Sequence, residues 1–167
     1  MNYEALRREK DAYFKMSEDA PLTEAQQLTF KGLNYYPVNP QLDLVVDVEL
    51  VEQDQEILIT TTTNELRRYQ RYGRFTFQVN GEAVTLTIYE APHGYFLPFV
   101  DANSGVETYP AGRYLEPEPL SETRFRVDFN LAYNPYCAYS EGWSCPITPK
   151  ENRVNVAIRA GEKNPTA

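Results

Sequence analysis

The chain has 167 residues, of which 42% are apolar and 13% aromatic, Tyr being the commonest ring. That length fits one domain, and that apolar content excludes a disordered chain, so a single domain over residues 1–167 is expected. The net charge of -8 sets up a field that opposes polyanions, so neither nucleic acid nor a membrane is expected as a partner.

Residues 2–16 read as an amphipathic helix. Tyr3, Leu6, Lys10, Tyr13 and Phe14 fall on one side at spacings of three and four. No apolar stretch follows Met1, and no run is long enough to span a bilayer, so a cytoplasmic location is expected. Pro21 closes the helix, and Thr23 is positioned to cap a short second one.

From Leu33 onward the period is two. Leu44, Val46, Val48 and Leu50 share one strand face, with a turn expected at residues 53–55. Ile57 and Ile59 lead into four threonines, Thr60–Thr63, which suit the wet side of a strand. Arg67, Arg68, Arg71 and Arg74 read as a solvated strand face, with a phosphate-binding patch as the alternative. Asn80-Gly81 favours a two-residue turn needing positive φ at both positions. Such a turn sets Phe77 opposite Val84, Phe75 opposite Leu86 and Gly73 opposite Ile88, with Gly73 marking a bulge or bend. Shorter strands are expected at residues 95–99, 112–115 and 125–129, and at Val154, Val156 and Ile158. Residues 130–152 form a long ordered loop rich in Tyr, Asn, Pro and Cys, and the tail from Gly161 to Ala167 is expected to be loose. The fold class is mostly β, an antiparallel meander closing into a small barrel behind an N-terminal α-helix, with a sandwich as the alternative.

The chemistry-bearing residues lie around that loop. Cys137 and Cys145 read as free thiols in a reducing compartment, with a disulfide between them as the alternative. His93, in a turn, is a candidate general base for Cys137 or Ser144, with Asp101 or Asp128 to orient it. Asp101, Asn103 and Glu107 alternate around a glycine but lack the EF-hand order, so they read as a plain turn and no metal site is expected. No glycine-rich phosphate loop is present, and no cofactor is expected. Arg113, Tyr114, Asp128, Asn130, Tyr133, Asn134 and Tyr139 form a polar constellation. It reads either as the mouth of a ligand pocket or as a buried network that pins the loop.

These residues also resemble a family. Lys31 to Pro37, Leu97 to Phe99 with Asp101, Ser104 to Tyr109, Gly112 to Leu115, Asp128 to Asn130, Ala132 to Ala138, Ser144 to Pro146, and Glu151-Asn152 closing in Ala160-Gly161-Glu162 are similar to the bacterial domain-of-unknown-function family number sixteen eighty-four. Asn103 and Pro110 depart from its pattern. The resemblance implies no reaction, cofactor or catalytic residue, and its members occur with and without export signals.

Three functions compete on these residues. The first is a binding module for a small polar or anionic ligand near Arg113, Tyr133 and Asn134. It requires Arg113 to be partly exposed in a concave pocket. The second is a hydrolase-like enzyme with Cys137 as nucleophile, which requires an accessible thiol near His93 or a carboxylate. The third is a structural or interaction protein, in which the constellation is buried and mutually bonded.

Overall fold

The computed structural model describes residues 1–165. Two helices, α1 (Tyr3–Met16) and α2 (Glu24–Thr29), precede eight strands: β1 (Asp43–Asp47), β2 (Glu49–Thr60), β3 (Leu66–Val79), β4 (Glu82–Ala91), β5 (Gly94–Phe99), β6 (Arg113–Leu115), β7 (Glu118–Pro119) and β8 (Arg124–Asp128). All pairings between them are antiparallel. A five-stranded sheet has the order β2-β3-β4-β5-β6, and a three-stranded sheet the order β1-β8-β7.

The expected barrel is therefore not closed, because the chain changes sheets. Val48 separates β1, which pairs with β8, from β2, which pairs with β3. At that joint a Cβ on Gly73 would lie 2.7 Å from the Glu49 carbonyl oxygen and would strike Val48. Only glycine permits the crossing strand to come so near. The two sheets share one core: Val46, Phe125 and Val127 from one meet Phe75, Phe77, Leu86, Ile88 and Leu97 from the other.

The hairpin at Asn80-Gly81 has the predicted register, Phe77 to Val84, Phe75 to Leu86 and Gly73 to Ile88, with the bulge between Arg71 and Gly73. Its turn residues have φ of 50° and 82°. The turn expected at residues 53–55 is absent. Those residues belong to β2, whose register shifts between Leu50 and Gln55. The reversal comes at Thr61–Glu65, where Thr61 N–H donates to the Glu65 carbonyl and Asn64 takes φ of 65°. Thr61 is accordingly buried rather than on a wet face.

Helix α1 docks by polar contacts more than by the apolar stripe. Leu6 is exposed, while Tyr3 reaches Asp128 at the end of β8 and Arg7, Lys10 and Phe14 meet Tyr35, Glu162 and Tyr139 of the connecting segments. Val154, Val156 and Ile158 form no strand. This segment is held by a single bridge from Val100 to Arg153, by the Ala102 N–H donating to the Val156 carbonyl at 3.1 Å, and by side chains. Residues 161–164 are not loose: Tyr36 N–H donates to the Gly161 carbonyl, Lys163 N–H to Asn34 and Asn164 N–H to Glu107. Thr166 and Ala167, the rest of that tail, lie outside the described residues. No helix among the described residues is long and apolar enough to cross a membrane.

Candidate functional site

The sequence constellation divides into two regions. The first is a buried polar lattice around Arg113, which is 1% exposed. One terminal nitrogen of its guanidinium donates to the Ala160 carbonyl and, at 3.1 Å, to the Glu162 carbonyl. The other donates to the Ile158 carbonyl at 2.8 Å and to Asp101 Oδ2 at 3.3 Å. Asp101 Oδ2 also accepts Ile158 N–H at 2.7 Å. The pair thus stands in for a strand partner at the Ile158, Ala160 and Glu162 carbonyls and the Ile158 N–H. Burial pulls the Arg113 guanidinium below its ordinary value, and Asp101 opposes that pull.

Glu162, 1% exposed, extends the lattice. Its carboxylate accepts Asn134 N–H at 3.0 Å, the Tyr139 hydroxyl at 2.9 Å and the Lys10 ammonium. Burial, then the Glu162 charge, holds the Tyr139 phenol far above its usual range. Asn134 Nδ2 donates to the Lys163 carbonyl and to Tyr139 Oη. Asp128 accepts the Tyr3 hydroxyl at 2.5 Å, and Asn130 exchanges bonds with the Asn39 backbone. Asn152, fully buried, bonds the Thr87 backbone on both sides and the Pro98 carbonyl. Arg113, Asn130 and Asn134 are therefore spent within the protein, contrary to the ligand reading of these three, whereas Asp128 also reaches a small cleft of about 170 Å³ and Tyr139 the wall of a groove of about 950 Å³. Each side chain fastens one chain segment to another.

The second region is an open cleft of about 720 Å³ on the face of β3 to β6, lined by Arg67, Tyr69, His93, Tyr95, Phe96, Tyr114, Glu116, Tyr133 and Pro146 among others. Arg67 and Tyr69 share a face of β3 because they are two apart. A chain of rings forms the floor. Tyr69 stacks on Phe96 at 5.5 Å, Phe96 meets Tyr114 edge-on at 4.9 Å, and Tyr114 meets Tyr133 edge-on at 5.9 Å. Tyr114 and Tyr133 also exchange backbone hydrogen bonds, which seat the start of the long loop beside β6. The Tyr133 hydroxyl donates to Glu116 Oε1 at 2.6 Å, and burial with that carboxylate holds its phenol well above the ordinary value. The Tyr114 hydroxyl donates to the Pro146 carbonyl. Arg67 Nη2 donates to the Ser144 carbonyl at 2.9 Å, and no carboxylate lies within ion-pair distance of it among the described residues. Arg71, by contrast, is neutralised by Glu151 at 2.8 Å.

So the arginine series of β3 is not one solvated face. Arg68 and Arg74 are exposed, whereas Arg67 and Arg71 are partly buried. Of the constellation, only Tyr114 and Tyr133 reach the cleft. Arg67 was singled out only within the arginine series, and Tyr69, Phe96 and Glu116 were missed; the period-two series Arg67, Tyr69, Arg71 was their one signal.

The nucleophile reading fails on geometry. Cys137 is bonded to Cys145 in a disulfide, so the free-thiol expectation is overturned and the alternative holds. His93 sits on the exposed β4–β5 turn, and Ser144 Oγ donates to Thr61 Oγ1 rather than to a histidine. Asp101 and Asp128 are engaged in the lattice and orient no imidazole. The Asp101–Glu107 turn spends its oxygens on protein donors: Asn103 Nδ2 donates to Tyr36 Oη and to Glu107. No group of three or more His, Cys, Asp or Glu able to hold a metal occurs among the described residues.

A family model described as "Protein of unknown function (DUF1684)" matches residues 28–163. A search of curated proteins finds no match. Among solved structures, the chain is similar to the solution NMR structure of the uncharacterized protein from gene locus rrnAC0354 of Haloarcula marismortui. The two share 32% identity and a TM-score of 0.73, over 96% of this chain and 91% of that one.

Proposed function

Because the chain belongs to the DUF1684 family, a family of unknown function, its activity must be read from its own geometry, and we propose that it binds a small ligand combining a flat apolar body with an anionic group in the aromatic cleft. The observation that carries this reading is Arg67. It is a partly buried cation without a carboxylate partner, set beside a continuous floor of four rings. A charge withdrawn from water favours a counter-ion, and an anion meeting Arg67 can use the donors left free by Ser144. The rings offer a stacking surface to the rest of the ligand. The Tyr133–Glu116 pair at the opposite end supplies an acceptor for a ligand N–H or O–H. The volume falls inside the roughly 300–1,000 Å³ range usual for small-molecule sites. A larger groove of about 950 Å³ beside α2 has a single charged lining residue, the exposed Lys31, and touches no strand.

Titration calorimetry with naphthalene-2-carboxylate tests the reading. Its Kd is expected on the order of 1 mM or tighter. The uncharged carboxamide and the Arg67→Met variant should both bind at least tenfold more weakly. Equal affinity for acid and amide would refute the role of Arg67.

A further inference from the structure

We propose that the Cys137–Cys145 disulfide is a two-electron switch on the aromatic cleft, which a dithiol reductant opens to weaken ligand binding. The inference rests on the cleft reading above and adds its regulation.

The bond joins the buried lattice to the cleft wall. Cys137 lies in the short helical turn Tyr136–Ala138, between Asn134 and Tyr139, both fixed to buried Glu162. Cys145 lies between Ser144, whose carbonyl holds Arg67, and Pro146, which lines the cleft and accepts the Tyr114 hydroxyl. The intervening residues Glu141, Gly142 and Trp143 are exposed, and Gly142 takes φ of 90°. Hydrogen bonds to the β2–β3 turn do the remaining holding. Thr62 N–H donates to the Cys145 carbonyl at 3.0 Å, Cys145 N–H to Thr62 Oγ1 at 3.1 Å, Ile147 N–H to the Thr60 carbonyl at 2.9 Å, and the Ser144 hydroxyl, which accepts from Thr63 Oγ1 at 2.7 Å, donates to buried Thr61 Oγ1 at 2.6 Å. Thr62 and Thr63 are exposed, so water competes for several of these bonds.

The exchange chemistry follows from burial. Cys145 is 7% exposed and Cys137 half-buried, so Cys137 Sγ is the sulfur an incoming thiolate reaches. Attack there forms a mixed disulfide at Cys137 and expels the Cys145 thiolate, which takes a proton from water. The reductant's second thiol then attacks its own sulfur in the mixed disulfide, expelling the Cys137 thiolate. The dithiol is oxidised to a disulfide, and the protein gains two electrons and two protons. With the link gone, residues 141–146 rest on these turn bonds and on the Tyr114 hydroxyl at Pro146, so the Ser144 carbonyl that orients Arg67 is less firmly placed. A ligand must then order that long side chain as it binds, which weakens affinity by about fivefold or more.

The test uses the full chain in oxidised form, after dithiothreitol, and as the Cys137→Ser/Cys145→Ser double variant. Each is titrated with naphthalene-2-carboxylate, and amide hydrogen exchange is followed at Thr62, Cys145 or its serine replacement, and Ile147. Trp143, the one tryptophan of the chain, lies between the two cysteines and packs edge-on against Tyr136 at 5.0 Å, so its fluorescence reports opening. The proposal expects tight binding only in the oxidised form, faster exchange at those three positions after reduction, and recovery on reoxidation. Equal Kd in both forms overturns the switch while the cleft reading stands. Absence of binding in every form overturns the cleft reading and the switch with it. Faster exchange throughout the core after reduction shows a general structural staple and overturns the switch.

Discussion

Arg113 and Arg67 sit on strands of the same sheet, each near tyrosines, yet they do opposite things. Arg113 is enclosed, and both of its terminal nitrogens are spent on three carbonyls and a carboxylate. Arg67 is half-open, gives one bond to a carbonyl, and faces rings. A guanidinium whose donors are used up by its own chain has nothing left for a ligand. One held at a single point keeps both its charge and much of its fork. The difference lies in the neighbours: Arg113 lies beside a segment that lacks a continuous strand partner, whereas Arg67 lies on β3 where its backbone is paired with Ile59 of β2.

The largest effect that would sharpen this comparison is on Arg113. Arg113→Met leaves Asp101 charged and buried and strips the Ala160 and Glu162 carbonyls of their donors. It should cost about 3–5 kcal/mol in urea unfolding. Arg67→Met removes one bond at a partly exposed site and should cost about 1 kcal/mol or less while abolishing the preference for an acidic ligand. A reversal of these two costs breaks the assignment of lattice and cleft. Between them in size falls the disulfide: its eight-residue separation implies about 2–3 kcal/mol lost in the Cys137→Ser/Cys145→Ser variant, measured by denaturation under oxidising conditions.

The smallest predicted effect is alkaline. Burial raises the phenols of Tyr3, on the lattice side, and Tyr72 to about 12. In the unfolded chain a tyrosine loses its proton near pH 10. Their contribution is therefore fully present below about pH 10 and is lost as pH rises towards about 12. Stability should decline over that window, with a shallower slope in Tyr3→Phe. A stability flat from pH 10 to 12 contradicts the placement of these rings.

What was legible in the sequence was local. The Asn80-Gly81 turn and the alternation beside it determine a hairpin without reference to the rest of the chain, and its register follows residue by residue. The sheet change at Val48 was not legible, because Leu44 to Leu50 alternates without a break while its hydrogen-bond partners switch from β8 to β3. Residues 154–158 show the reverse error. Alternation there marks one buried side, but the backbone is satisfied piecemeal, by Val100 and Ala102 at Val154 and Val156 and by Arg113 and Asp101 at Ile158, rather than by a strand. The constellation was collected as one set of residues around one loop, and the structure divides it between the lattice and the cleft. Composition could not say which members turn inward, since an Asn that lines a pocket and one that staples two segments look alike in sequence. Arg67 and Tyr69 were hidden for the same reason, inside a charged series that also contains the exposed Arg68 and Arg74.

The central claim, that the lattice holds the fold while the cleft holds the ligand, is tested most directly by the arginine Nε–Hε signals in an NMR titration with naphthalene-2-carboxylate. The account predicts that the Arg67 signal moves in a saturating way while the Arg113 signal stays fixed. Movement at Arg113 with Arg67 unchanged would contradict it.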